Sequence, residues 1–206
     1  MLPAMSSWLD LDRWDLDALA ATWRGARPFP HVVLDGAIFP GRLPELRDAF
    51  VEEPASLIHD EIYEVTASAP ALEHPVLQGL RDELGGERAR AAIEKITGKR
   101  AGRVEMRGYA FEEGHYLLPH SDHRDDVGRL IAFAYYLEPP GPLEGGELEL
   151  YECAFEGAEI ISTVPSVRIA PTPNRLVLFD VGDASLHEVR EVTRGVRFSL
   201  SGWFYP

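Results

Sequence analysis

In the segment Leu118-Pro119-His120-Ser121-Asp122 a histidine and an aspartate stand two residues apart. Side chains two apart on an extended strand leave the same face, so this imidazole and this carboxylate can reach one ion. A third donor must come from elsewhere, and His187, in Ser185-Leu186-His187-Glu188-Val189, offers it after a run of 64 residues. Two imidazoles and one carboxylate on one side of an ion form the facial triad of non-haem iron(II) oxygenases, which leaves positions open for oxygen and a bidentate co-substrate. A His-x-Asp tripeptide alone is a weak signal. It gains weight from Arg197-Phe198-Ser199-Leu200-Ser201-Gly202-Trp203 downstream, where Arg197, Ser199 and Ser201 share one strand face and Phe198 and Leu200 the other. Facing a cavity, the planar fork of Arg197 can hold the far end of a dicarboxylate; facing outward, it is a solvated surface residue. Alternation leaves both open.

The elements that must position these residues read as helices first and strands second, with the switch near Lys99 to Arg103. Leu16, Leu19, Ala20 and Trp23 recur at helical spacing, with Ser7 as the expected cap and Pro28 and Pro30 as the stop. His31 to Leu34 reads as a short strand, a second helix opens near Pro44, and a third near Pro75. Gly85 and Gly86 interrupt the pattern before Ala89, Ala92, Ile93 and Ile96 resume it up to Gly98. The region from Glu52 to Ala71 carries no clear pattern. From Val104 the period becomes two: Val104 to Ala110, Leu130 to Leu137, Glu147 to Tyr151, Ile160 to Ile169, Arg175 to Asp180 and Val196 to Tyr205 read as strands. Spacers such as Pro139-Pro140-Gly141-Pro142 and Gly182-Asp183 carry turn chemistry. The expectation is an α+β chain, one domain over 1–206. Residues 1–100 are mainly helical support packed outside, and 101–206 form a jelly-roll core that holds the metal site.

Composition narrows the function. A formal charge of −14, from 34 acidic against 20 basic residues, argues against nucleic acid as a partner, because a phosphate backbone needs a cationic footprint. No run of about 18 apolar residues occurs, so no membrane span is expected. Asp10, Asp12, Asp15 and Asp17 break the Trp/Leu pattern that follows Met1 to Met5, so no secretory leader is expected. Cys153 is the one cysteine, which excludes an intrachain disulfide and fits a reducing cytosol. Oligomeric state is not readable.

Taken as a set, the motifs resemble the prolyl-hydroxylase branch of the iron(II)- and 2-oxoglutarate-dependent dioxygenases, over roughly His31 to Pro206 and most strongly from Gly114. Beyond His120-Ser121-Asp122 they comprise Arg129-Leu-Ile-Ala-Phe-Ala-Tyr-Tyr-Leu137, Gly145-Gly-Glu-Leu148, Asn174-Arg-Leu-Val-Leu-Phe-Asp180 ahead of His187, and Arg197 near Ser199-Leu-Ser-Gly-Trp203. Tyr116-Leu-Leu-Pro-His120 and Ser199 to Trp203 are similar to hydroxylases acting on prolines of ribosomal or other translation proteins. The resemblance implies a cupin-like double-stranded β-helix. Fe(II) would sit on His120, Asp122 and His187, with 2-oxoglutarate and O2 as co-substrates and ascorbate as an accessory. Arg197 would hold the distal carboxylate of 2-oxoglutarate, Tyr136 would add a hydrogen bond, and Ser199 would stand beside them. The implied reaction is hydroxylation of a C–H bond, first of a prolyl residue in a protein or peptide, with 2-oxoglutarate converted to succinate. The alternatives are a free amino acid or natural product as substrate and, from another class, a non-catalytic jelly-roll binding module. The sequence departs at Phe111, where many relatives carry tyrosine, and has Tyr109 two residues earlier on the same face.

Tyr109, Tyr116 and Arg129 are the candidates for contact with substrate, Arg129 being equally readable as half of a structural ion pair. His115 and His123 are expected to face away from the metal pair. Arg124, Asp125 and Asp126 read as a solvated turn or a lid, and Tyr135 and Trp203 as core.

Overall fold

The first helix, α1 (Leu16–Gly25), begins where the Asp15 carboxylate accepts the N–H of Ala18, 3.0 Å away, an N-cap that satisfies one of the free donors of the first turn. The cap expected at Ser7 is not used. Its hydroxyl donates instead to Glu83, 2.6 Å away, because the chain runs through a short 3₁₀ turn at Leu11–Arg13 before the helix opens. Prolines stand in the first turns of α2 (Leu43–Glu52) and α3 (Pro75–Leu84), where a missing N–H costs nothing. The last helix, α4 (Glu87–Thr97), ends on Gly98 at φ +73°, the left-handed terminus expected there. This computed structural model describes residues 7–206; Met1 to Met5, on which the expectation about a leader partly rests, lie outside the described residues.

Three strands precede residue 100: β1 (His31–Asp35), β2 (Ala55–Asp60) and β3 (Tyr63–Ser68). The rest are β4 (Val104–Phe111), β5 (Tyr116–His120), β6 (Ile131–Tyr136), β7 (Glu144–Gly145), β8 (Leu148–Glu156), β9 (Glu159–Ile169), β10 (Arg175–Asp180), β11 (His187–Val189), β12 (Val192–Arg194) and β13 (Arg197–Phe204). β7 and β12 pair with each other. The remainder form one antiparallel sheet in the order β1-β10-β6-β13-β4-β3-β5-β11-β8-β9, with β2 on β3. Along the chain β4, β6, β10 and β13 fall in one half of that order, and β5, β8 and β11 in the other. Successive strands cross from half to half while the sheet curls so that the halves face each other, which is the double-stranded β-helix.

The division into a helical first half and a stranded second half holds only in part. β1 pairs with β10 and β3 with β4 and β5, so two early strands are built into the sheet, and the patternless stretch after Glu52 is the β2–β3 hairpin. Every residue of β6 is buried, since Ile131, Phe133 and Tyr135 pack beneath the helices while Ala132, Ala134 and Tyr136 look into the barrel. A strand covered on both faces reads as an unbroken apolar run. The helical layer closes the outer face through Trp23, Leu46, Leu77, Ile93 and their neighbours. Among the described residues no helix is long and apolar enough to cross a membrane.

Candidate active site

His120 closes β5, Asp122 follows in the loop, and His187 opens β11. β11 lies antiparallel to β5 with His187 opposite His120, and this pairing brings the distant histidine to the local pair. The Ser121 hydroxyl donates to the carbonyl of Gly182 at 2.9 Å and accepts the His123 N–H at 3.1 Å, which fixes the loop that carries Asp122.

One donor atom from each of His120, Asp122 and His187 lies within 4.8 Å of the other two. His120 Nε2 is 3.8 Å from Asp122 Oδ1, and His187 Nε2 is 3.6 Å from Oδ2. Behind them, His120 Nδ1 sits 2.9 Å from the carbonyl of Leu118 and His187 Nδ1 3.0 Å from that of Ser185. A carbonyl only accepts, so each Nδ1 carries the proton and each Nε2 presents a lone pair. Burial pushes the His187 imidazole down to about 4; the Asp122 charge opposes this and His120 adds to it, leaving the ring neutral at pH 7. Two lone pairs and a carboxylate converging without a proton between them repel one another unless a cation joins them. The donor set therefore fits an iron(II) ion.

Arg197 settles its own alternative. It is 2% exposed, faces into the barrel from β13, and has its guanidinium carbon 4.8 Å from the Phe111 ring centre and 5.0 Å from that of Tyr136. Among the described residues no carboxylate pairs with it, and its Nε and Nη1, the Tyr136 hydroxyl and the Ser199 hydroxyl are all buried without a hydrogen-bond partner. Burial holds the guanidinium below its usual range, with Tyr136 acting the other way. An unpaired buried charge beside two orphaned hydroxyls costs several kcal/mol, and a carboxylate ligand would satisfy all of them. These residues fit one end of 2-oxoglutarate. Gly146 lies against this niche at φ +72°, where an added Cβ would stand 3.0 Å from Arg197 Cδ and 3.0 Å from Val192 Cγ2. The Gly-Gly pair is thus where the β7 turn passes close over the arginine.

Beside the triad opens a cavity of about 540 Å³. Arg129 lines it, stacks 3.6 Å over the Trp203 ring and sits 3.5 Å from Asp122 Oδ1, so both readings of this residue meet in one position. Tyr109 lines the wall, and burial raises its phenol. Tyr116 does not line it. The register between β5 and β11 shifts between Leu117 and His120, which turns Leu117 inward and leaves Tyr116 with Leu118 on a separate groove beside Arg190. Trp203, expected in the core, is a cavity wall; its odd position on the face of Arg197 was the available signal. Tyr135 is core, its hydroxyl donating to Asn174 at 3.1 Å. His123 pairs with Asp125 and Asp183, and His115 lies 3.7 Å from Glu64, so neither joins the triad. Ile58, Ile62, Tyr63 and Val65 from the β2–β3 hairpin form a wall that sequence reasoning missed.

Comparison with known proteins decides the family, since residues 104–205 match the 2OG-Fe(II) oxygenase superfamily. Those residues form a 2OG-Fe(II) oxygenase domain. This oxygenase chain is similar to prolyl 3-hydroxylase sudestada1 of Drosophila melanogaster, 30% identical over 190 residues, which cover 86% of this chain and 34% of the relative. It thus spans about a third of that relative's length. A Pseudomonas putida prolyl-4-hydroxylase superposes with a TM-score of 0.66 at 21% identity, over 91% of this chain and 98% of the other. A 2OG-Fe(II) oxygenase family oxidoreductase from Burkholderia pseudomallei reaches 0.72 at 16% identity, over 94% and 92%. Both likenesses show the fold.

Proposed function

We propose that this chain is an iron(II)- and 2-oxoglutarate-dependent dioxygenase that hydroxylates a prolyl residue of a protein or peptide. The observation that carries the reading is Arg197, a buried cation without a counter-charge that stands with two orphaned hydroxyls in the barrel that also holds His120, Asp122 and His187. When bound, iron(II) with 2-oxoglutarate and O2 supplies the oxidising power for C–H hydroxylation and yields succinate; ascorbate would keep the metal reduced. The protein's part is placement. His120 and His187 offer Nε2 because backbone carbonyls hold their Nδ1 protons, and Asp122 offers a carboxylate steadied by Arg129. Arg197, Tyr136 and Ser199 grip the distal carboxylate and set the pose of the keto acid. Arg129, Trp203 and Tyr109 bound the space left for the substrate. The prolyl 3-hydroxylase relative supports a peptidyl proline as target, and the single cysteine supports a cytosolic setting.

Anaerobic titration with Fe(II) and 2-oxoglutarate tests the site, with a visible charge-transfer band expected for the wild type and none for His187→Ala. No band in the wild type makes the chain a binding module and ends the enzyme reading. Incubation with cell extract, followed by mass spectrometry for peptides that gain one oxygen on proline, tests the target. Turnover of 2-oxoglutarate with free amino acids and no oxidised peptide assigns a small-molecule substrate instead.

A further inference from the structure

The cavity inverts the charge of the chain. Against a formal −14 overall, its lining carries four arginines, Arg107, Arg124, Arg129 and Arg197, and one carboxylate, Asp122. Three of these arginines are accounted for. Arg197 faces the keto-acid niche, Arg129 meets Asp122 and feels the charge of Glu105, and Arg124 pairs with Asp126 at 3.0 Å. Arg107 is different. Its Nε and Nη2 both donate to the carbonyl of Ser68 at the end of β3, the former at 2.8 Å, and it forms no ion pair among the described residues. Its other neighbour is Tyr109, whose ring centre lies 5.6 Å from the guanidinium carbon and whose phenol feels its charge, so no carboxylate neutralises it among the described residues.

Position separates this cation from the keto acid. On β4, Phe111 stands opposite Arg197, and Arg107 lies four residues away on the same face, opposite Ser201. At the rise of a strand that is about 13 Å along the wall, too far to serve the carboxylate that Arg197 would hold. A half-buried guanidinium, fixed by two bonds to one carbonyl and lacking a counter-charge, is built to receive an anion from outside the protein.

We propose that Arg107 is a specificity-determining residue: it receives the carboxylate of an Asp or Glu side chain lying within a residue or two of the prolyl target, and so selects acidic peptides. The inference rests on the peptide-hydroxylase reading given above. The acidic exterior does not prevent it, since charges beyond about 8–10 Å are screened at physiological salt whereas a contact pair in a cavity is not.

The test uses short dye-labelled peptides with a central proline flanked by Glu or by Gln, first as binding partners of the metal-free protein by fluorescence anisotropy. The Glu peptide is expected to bind about tenfold more tightly than its Gln twin, the size of one charge-assisted hydrogen bond. Arg107→Gln erases that difference without weakening the Gln peptide, and Arg107→Lys, which keeps the charge and loses the fork, restores part of it. Thermal melts of both variants confirm that the fold persists. With Fe(II), 2-oxoglutarate and O2 added, the effect falls on KM for the peptide and leaves KM for 2-oxoglutarate unchanged. Equal binding of the twins overturns the proposal. So does a rise in the 2-oxoglutarate KM of Arg107→Gln that is the same with either peptide, because Arg107 then steers the keto acid. N-acetylglutamate competing as well as the Glu peptide moves the carboxylate to a small-molecule substrate and also overturns it. Absence of succinate formation in the wild type with every peptide is a separate result, which counts against the oxygenase reading and leaves the binding comparison standing on its own.

Discussion

Arg197 and its two silent hydroxyls show how a single residue can state a protein's need for a ligand. A guanidinium buried among Phe111 and Tyr136 without a carboxylate destabilises the ligand-free fold. Arg197→Met is therefore expected to raise the stability of the ligand-free protein by on the order of 1–4 kcal/mol while weakening 2-oxoglutarate about a hundredfold or more. Denaturant unfolding and calorimetric titration measure the two effects, and a variant that is less stable than wild type would refute the unpaired-charge account. The triad was legible because His120 and Asp122 are close in sequence and His187 follows an apolar strand. The direction of Arg197 was not, because Phe198 and Leu200 on the other face of β13 are covered as well. A strand buried on both sides gives one alternation whichever face looks inward. Trp203 was misread for a related reason: an aromatic ring signals burial, and a cavity wall is also half-buried.

Elements place what residues supply. The β7 turn, with Gly145 and Gly146 at φ +81° and +72°, lays backbone over Arg197. Gly146→Ala would cost about 1–2 kcal/mol for the left-handed backbone alone, and its methyl group would also press on Arg197 Cδ and Val192. A lowered Tm together with a raised Kd for 2-oxoglutarate is the expected outcome, and a lowered Tm with unchanged Kd would show that the turn does not position the arginine. Regular elements were legible where their period was long enough to repeat, as in α4 and β13. β11, three residues long, offers no period, and the shifted register of β5 breaks the alternation that seemed to place Tyr116 beside His120. The β2–β3 hairpin escaped notice because β2 is exposed along nearly its whole length and carries no apolar face. Ser7 failed as a cap because the 3₁₀ turn at Leu11–Arg13 intervenes before the helix begins.

Over the whole molecule the fold class was legible from the order of periods, and what it concealed was how far early strands enter the late sheet. The same scale governs the response to acid. A hydrogen bond from Arg175 holds the Asp35 carboxyl below its usual range. Glu149, which burial would raise, is held down by Arg168 and Arg190, while burial pushes its neighbour Glu188 up and works in the opposite sense. A carboxyl depressed in the fold binds fewer protons folded than unfolded. Its contribution is present above the unfolded value of about 4 and is lost as pH falls through the folded one. The denaturant midpoint should begin to fall below about pH 6.5, because the unfolded imidazole of His187 takes up a proton that the buried ring, pushed down to about 4, does not, and it should fall further below about pH 4 as these carboxyls protonate; a midpoint that rises on acidification would contradict this. The four tryptophans divide between two regions. Trp8, Trp14 and Trp23 lie in the helical layer, and Trp203 alone stands on the cavity wall under Arg129. Ultraviolet emission thus carries a dark-room signal from the chemistry end of the barrel. Partial quenching on addition of iron(II) and the keto acid should vanish in Trp203→Phe, and the three remaining indoles would then report unfolding of the outer layer undisturbed by occupancy.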